Sequence, residues 1–501
     1  MATPNYSTLV ASVRKTFNSG KTKSVEWRRK QIQNVIQLIE DKKDEICQVV
    51  KKDMRKSEFE AILNEVTLTK NEGYYALNNL DSWVKPEKVK KDLLNMSNDC
   101  FIKREPYGVV LIVSPWNYPV QLALAPLIGA LAAGNCVIIK PSEMTEATAE
   151  FLERTIPQYL DQDCIKVVTG GVPEISSLLK ERFDYIFYTG NTMVGKIMMK
   201  AAAENLTPVT LELGGKSPVY IDSNCDFDVA AKRILWGKFV NAGQSCIAPD
   251  YILCTEEVQA RFLDSMKRAI QQFFEEKNPK QSDYYCRIVN IRHFHRLKKM
   301  LNGAQIALGG ATDEQDLFIE PTVLVDVKPG DAVMQEEIFG PILPIITVNG
   351  VEEALEMINE GEKPLALYVF SHDKKLAKRI LDCTSSGSAC INDVMVQFGL
   401  NTLPFGGVGH SGMGGYHGKH SFETFSHRRS CLMKALNMES VNGLRYPPYT
   451  ERKKNFINWV IGGKGKKSSG PPFIPFLILG VLLAVVFKFG LHTQVMTCFE
   501  K

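Results

Sequence analysis

Hydrophobic and polar positions change rhythm along this chain. Residues 9–84 are charged, and within 25–39 (VEWRRKQIQNVIQLI) apolar residues recur at three- and four-residue steps after Ile32. That is the period of a helix packed by one face. From residue 108 short β-rich runs take over, at Val109–Val113, 136–139, 165–168 and 185–188. Helical patterns lie between them, as at 122–133 and 145–160. Strands alternating with helices of that length predict a parallel sheet of βαβ units. The alternation resumes after Glu212 with Tyr220-Ile221, Tyr251–Cys254 and 365–370, so two α/β lobes are the simplest organisation.

The rhythm changes again near the C-terminus. Residues 464–470 (KGKKSSG) read as a basic, flexible linker. Residues 471–487 (PPFIPFLILGVLLAVVF) then carry no charge, which is at the short end of a membrane span. Lys488 can snorkel, extending the apolar stretch to Leu491. A buried core helix is the rival reading, disfavoured by the linker and the basic flank. A tail anchor is therefore expected, with Arg452, Lys453, Lys454, Lys464, Lys466 and Lys467 keeping the body on the cytosolic side. The N-terminus, MATPNY, lacks the charged start and apolar core of a signal peptide.

Bulk composition narrows the function classes. A chain of 501 residues is expected to hold about two or three domains. Sixty basic against 56 acidic residues leave only +4, which gives no reason to expect a nucleic-acid partner. The 12 cysteines form no CxxC pair, and no Cys/His cluster has structural-zinc spacing. No metal is expected, and a reducing compartment is.

Candidate chemistry lies at the ends of these runs. Cys246 sits among small and amide residues in NAGQSC, and Glu212 lies upstream in the apolar, glycine-ended LELGGK. An approachable thiol with a nearby carboxylate points to covalent catalysis through sulfur, although most cysteines are inert packing residues. Asn117, in SPWNYP after the Val109–Val113 strand, is either a neutral donor for an oxyanion or a helix cap. Lys140 and Glu143, in KPSE after the next strand, fit ribose hydroxyls or a plain surface turn. Gly190, Asn191, Thr192, Met193, Val194 and Gly195 follow another strand and open a helical run over 196–204, a position suited to a diphosphate. Their GxxxxG spacing lacks the inner glycine of the usual fingerprint. EEIFGP carries Glu337 and Phe339, and NTLPFGGVGHSG is a glycine-rich loop too apolar for a linker. His410 and His417 have no ligand-spaced partner and read as structural or surface residues.

Taken in order, WNYP, KPSE, GNTMVG, LELGGK, GQSC, EEIFGP and PFGGVGHSG resemble the aldehyde dehydrogenase superfamily over roughly residues 8–430. The short N-terminus and anchored tail resemble the membrane-bound members of its class 3 branch, which act on fatty aldehydes. The resemblance implies an α/β fold: a Rossmann-like dinucleotide-binding domain over 1–210 with an oligomerisation insertion near 84–105, then a catalytic domain over 211–395. An active-site loop and oligomerisation strand follow over 396–430, then a juxtamembrane segment and linker over 431–470, and a transmembrane anchor over 471–491. It also implies roles. Cys246 is the nucleophile, Asn117 the oxyanion donor and Glu212 the base that hydrolyses a thioester. Lys140 and Glu143 hold the adenosine ribose, residues 190–195 the diphosphate, and Glu337 the nicotinamide ribose, with Phe339 beside the cofactor. The implied cofactor is NAD, with NADP open because Glu143 disfavours a 2′-phosphate without excluding it. The implied partners are a medium- to long-chain aldehyde, the endoplasmic reticulum membrane and a second copy in a homodimer. A coenzyme A-acylating enzyme needs no hydrolytic base, so Glu212 argues against that alternative. A catalytically silent relative would have no reason to keep Cys246, Asn117 and Glu212 together.

Overall fold

The computed structural model describes residues 6–461 apart from 93, 94, 276 and 438. Residues up to Leu432 form one compact unit, and a second begins at Met433. The expected anchor over 471–491 lies outside the described residues. Among the described residues no helix is long and apolar enough to cross a membrane.

Two mostly parallel sheets organise the first unit. In one, Gly412–Met413, Val209–Glu212, Tyr185–Thr189, Val109–Val113, Cys136–Lys140 and Ile165–Val167 lie side by side in that order. All pairs are parallel except Gly412–Met413 against Val209–Glu212. Every residue of Val109–Val113, Cys136–Lys140 and Tyr185–Thr189 is buried, as a sheet covered on both faces requires. One cover is the helix Gln121–Ala133, buried along its whole length and packed between Val25–Asp41, Leu68–Trp83 and Gly418–Thr424. It ends at Gly134, whose φ of 92° is the left-handed cap that glycine adopts at least cost.

The second sheet runs Gln305–Leu308, Thr322–Val325, Ile342–Thr347, Tyr251–Cys254, Pro218–Ile221, Ala366–Phe370 and Ser388–Ile391. It is parallel apart from its Gln305–Leu308 edge. A smaller sheet joins Glu87–Lys88, Asp99–Pro106 and Ser426–Met433.

The apolar runs are found as strands with bounds within about two residues of expectation. The helix after Tyr185–Thr189 differs more, beginning at Thr192 rather than 196. Its start is set by Asn191, whose side chain accepts from the Val194 N–H at 2.9 Å. That polar cap leaves no mark on an apolar period.

Registry across the first sheet brings its carboxyl ends level, with Val113 opposite Lys140 and Tyr188, and Thr189 opposite Glu212. Lys140 and Glu212 end two of these strands, and the segments that follow the strands carry Asn117, Glu143 and residues 190–195. The second sheet contributes differently: Cys246 precedes Tyr251–Cys254 and Glu337 precedes Ile342–Thr347. Its chemistry-bearing loops are at the amino ends of its strands, the opposite of the common rule for open α/β sheets.

Candidate active site

Cys246 is reached through an unusual piece of backbone. Asn241, Ala242 and Gly243 have φ of 52°, 51° and 74°, three left-handed residues in succession, two of them with side chains. Such a turn persists only where its surroundings hold it. A Cβ on Gly243 would lie 2.3 Å from the Gly340 carbonyl oxygen, so this position also needs glycine for space. Asn241 Nδ2 donates to the backbone oxygens of Asn117 and Gln244, at 2.9 and 3.1 Å. Gln244 Nε2 donates to the carbonyls of Asn241 and Arg287, and its Oε1 accepts from the Val289 N–H. These bonds fix the turn and leave the Cys246 thiol half-buried at its end.

Asn117 is buried, and its Nδ2 donates to the Gln244 carbonyl at 3.1 Å, two residues from the thiol-bearing position. Behind it lies an ion pair that the sequence did not announce. Lys56 Nζ is 2.7 Å from Glu65 Oε1, both side chains fully buried, and Nζ also donates to the Asn117 carbonyl at 2.9 Å. Glu65 Oε2 accepts from the N–H groups of Val120 and Gln121, at the head of the buried helix. Each charge is thus hydrogen-bonded as well as paired, which a buried ion pair needs to be tolerated.

Two carboxyl groups act on the thiol. Burial pushes the Cys246 thiol well above its ordinary range, and the charges of Glu337 and Glu212 push it further. The resting thiol is therefore protonated at neutral pH, a weak nucleophile until its surroundings change. Glu212, at the end of its strand, is buried, and neither carboxylate oxygen has a hydrogen-bond partner. Desolvation alone holds it well above the usual carboxylate range. A buried polar group without a partner calls for an explanation, and a proton-transfer role is one.

Glu337 is held more elaborately. Its carboxyl is pushed up to about 8 by burial and by the charge of Asp250, against hydrogen bonding from Gly215 and the charges of Lys216 and Arg296. A Cβ on Gly214 would come 2.0 Å from Glu337 Oε2, so the carboxyl crosses bare backbone there. The surrounding segment is tied down by Lys216 Nζ, which meets Asp250 Oδ2 at 2.5 Å and the carbonyls of Val333 and Glu336. Asp250 Oδ1 accepts from the Ile338 N–H, and Arg296 donates to the carbonyls of Glu337 and Ile338. Phe339, with a left-handed φ of 49°, stands edge-on to Trp116 at 5.2 Å.

The remaining sequence candidates line the carboxyl edge of the first sheet. Lys140 Nζ is buried, donates to the Pro141 carbonyl and lies 3.4 Å from the exposed Glu143 carboxylate. A cation and a carboxylate side by side form the donor–acceptor set that a vicinal diol requires, so these residues fit a nucleotide ribose. Gly190 is needed for space, since a Cβ there would meet Tyr188 Oη at 2.2 Å. Thr192 Oγ1 donates to the His410 carbonyl, Met193 is exposed, and Val194 and Gly195 enter the helix. A glycine-bounded loop running into a twelve-residue helix fits a diphosphate.

His410 is exposed, 3.6 Å from Glu362, whereas His417 is buried among Phe398, Phe405 and Tyr416. Burial drives His417 down to about 3, so it stays neutral. The supports that sequence reasoning missed are Lys56, Glu65, Asp250 and Arg296. Lys216 stood in LELGGK without a role.

Fold and site together define a nucleotide-dependent dehydrogenase. The chain belongs to the aldehyde dehydrogenase family, whose pattern matches residues 2–431. It is 51% identical over 484 residues to aldehyde dehydrogenase family 3 member A2 of Macaca fascicularis, covering 96% of this chain and 99% of the relative. It is also 51% identical over 440 residues to family 3 member B1 of Rattus norvegicus, covering 88% and 94%. Both matches place it in the class 3 branch. The substrate-bound aldehyde dehydrogenase (AldH) of Staphylococcus aureus superposes with a TM-score of 0.89 at 42% identity, covering 91% of this chain and all of that one. Mycobacterium tuberculosis aldehyde dehydrogenase complexed with NAD⁺ is similar at TM-score 0.77 and 26% identity, covering 86% and 90%. The protein is an NAD-dependent aldehyde dehydrogenase, with NADP also compatible.

Proposed function

We propose that the enzyme oxidises medium- to long-chain aliphatic aldehydes to carboxylic acids through a Cys246 thioester. The observation that carries the chemical part is the buried, partnerless Glu212 carboxyl acting on the Cys246 thiol. The half-buried Cys246 thiol gives its proton to solvent water, and Sγ bonds to the aldehyde carbon while the carbonyl π pair moves onto oxygen as an oxyanion. One proton of Asn117 Nδ2 stays on the Gln244 carbonyl and the other is free for that oxyanion, with the Cys246 N–H as second donor. NAD⁺, held by the residues named below, would supply the hydride acceptor that oxidises the carbon on Cys246 Sγ to a thioester. Glu212 then takes a proton from water, the water oxygen bonds to the acyl carbon, and the C–S bond breaks to release the acid. Lys140 and Glu143 would hold the adenosine ribose, residues 190–195 the diphosphate and Glu337 the nicotinamide ribose, with Phe339 beside the cofactor.

Substrate class rests on the uncharged stretch 471–487, extended to Leu491 by a snorkelling Lys488, which is read as a tail anchor in the endoplasmic reticulum membrane with the catalytic body in the cytosol. Long-chain aldehydes partition into bilayers, so an anchored active site meets them at raised concentration. The chain is read as dividing into dinucleotide-binding (1–210) and catalytic (211–395) domains. It is also read as a homodimer, supported by the strand Ser426–Met433 at the edge of its small sheet. A kcat/KM series with the full chain in vesicles tests the substrate class. The expected result is a rise from acetaldehyde to hexadecanal, and preference for acetaldehyde would overturn it.

A further inference from the structure

Outside the reacting groups, one carboxylate makes contacts that its position in the chain does not explain. Glu60 ends the short helix Glu58–Glu60 and leads into the π-helical segment Ala61–Thr67. Insertions of this kind re-aim side chains and recur at functional sites. Glu60 Oε2 accepts from the Asn241 N–H at 3.1 Å and from the Cys286 thiol at 3.3 Å. Asn241 is the first left-handed residue of the turn that delivers Cys246. The strand of chain after Cys286 grips the same turn from another side, through Gln244 Nε2 on the Arg287 carbonyl and Val289 N–H on Gln244 Oε1. The Glu60–Cys286 contact therefore closes a ring: Glu60 to Asn241, Asn241 to Gln244, Gln244 to residues 287–289, and Cys286 back to Glu60.

We propose that Glu60 is a positioning residue for the nucleophile, holding the strained 241–243 turn by its first amide so that Cys246 Sγ stands beside the Asn117 amide. Glu60 takes no proton and touches no substrate in this account. Its contribution is one acceptor oxygen, placed where a backbone N–H would otherwise be buried without a partner. The remaining ties of the turn come from its own side chains and from the Asn117 carbonyl. Glu60, Asn117 and residues 287–289 are what fasten it to the rest of the fold.

The inference rests on Cys246 being the nucleophile, and its test separates the two. The rate of Cys246 alkylation by iodoacetamide, mapped by peptide mass spectrometry, is measured with kcat and the KM for NAD⁺ on the full-length enzyme. Glu60→Ala is expected to lower both alkylation rate and kcat about tenfold while KM for NAD⁺ changes less than twofold. Glu60→Gln keeps an acceptor oxygen and is expected to retain both within threefold. Cys286→Ala removes only the thiol contact and is expected to slow alkylation two- to threefold, which keeps the test open if Glu60→Ala fails to fold. Wild-type alkylation and kcat in Glu60→Ala would overturn the proposal. So would a Glu60→Gln enzyme as impaired as Glu60→Ala, or, with Glu60→Ala unfolded, an unaltered Cys286→Ala enzyme. Full activity in Cys246→Ser would instead overturn the assignment of the nucleophile, whatever Glu60 does.

Discussion

The two large sheets serve the site from opposite ends of their strands, and they secure their functional groups in different ways. At the carboxyl edge of the first sheet, Asn117, Lys140, Asn191 and Glu212 lie within a few residues of buried strands whose registry sets their spacing. At the amino edge of the second, Cys246 and Glu337 sit on longer loops and depend on distant ties. The Cys246 turn leans on Asn117 and Arg287, and the Glu337 segment on Lys216, Asp250 and Arg296. A strand end positions a group through the sheet itself. A loop with left-handed backbone positions it only as well as its hydrogen bonds hold.

Three changes probe that contrast. Cys246→Ser should have the largest effect, lowering kcat by at least about 10³-fold, because a serine hydroxyl here lacks the base that would ionise it. Steady-state NADH formation by purified full-length protein checks this. Asn117→Ala removes a donor fixed by the first sheet and should lower kcat about 10²- to 10³-fold. Circular dichroism should remain unchanged, because Lys56 and Asn241 bond to the Asn117 main chain and not its side chain.

The smallest effect concerns Glu337, proposed to accept from the nicotinamide-ribose hydroxyls in its ionised form. With its carboxyl near 8, the ionised fraction rises as pH rises through that value. The apparent KM for NAD⁺ should thus fall about tenfold between one unit below and one unit above, following the competent fraction. Glu337→Gln should flatten that profile, and a profile unchanged by the substitution would break the contrast. The stability effect has the opposite sense. The folded protein holds this proton more tightly than an unfolded chain with a value of 4.5, so the contribution is full below 4.5 and lost as pH rises through about 8.

The same contrast explains what was legible in the sequence. Val109–Val113 and Tyr251–Cys254 are wholly apolar runs, and they are strands with the expected bounds. Asn117, Lys140 and residues 190–195 were found because they follow such runs, whereas Glu212 was found by its apolar, glycine-ended hexapeptide and its own strand Val209–Glu212 was not expected. Cys246 and Glu337 stood in recognisable hexapeptides, yet what holds them did not. Lys56, Glu60 and Glu65 lie in a charged, helix-like stretch where nothing separates a buried ion pair from a solvated face. The π-helical segment Ala61–Thr67 that aims them has no signature in a 3.6-residue period. Asp250 and Arg296 join segments far apart in the chain, which only the folded registry brings together.

The division of labour between Cys246 and Glu212 is the centre of the account, and intact-protein mass spectrometry of Glu212→Gln tests it most directly. Mixed with hexadecanal and NAD⁺, this enzyme should release about one NADH per site and stall. It should then carry a hexadecanoyl group on the peptide containing Cys246, because no base remains to activate water. A Glu212→Gln enzyme that turns over at the wild-type rate, or that stalls with Cys246 unmodified, would contradict the account.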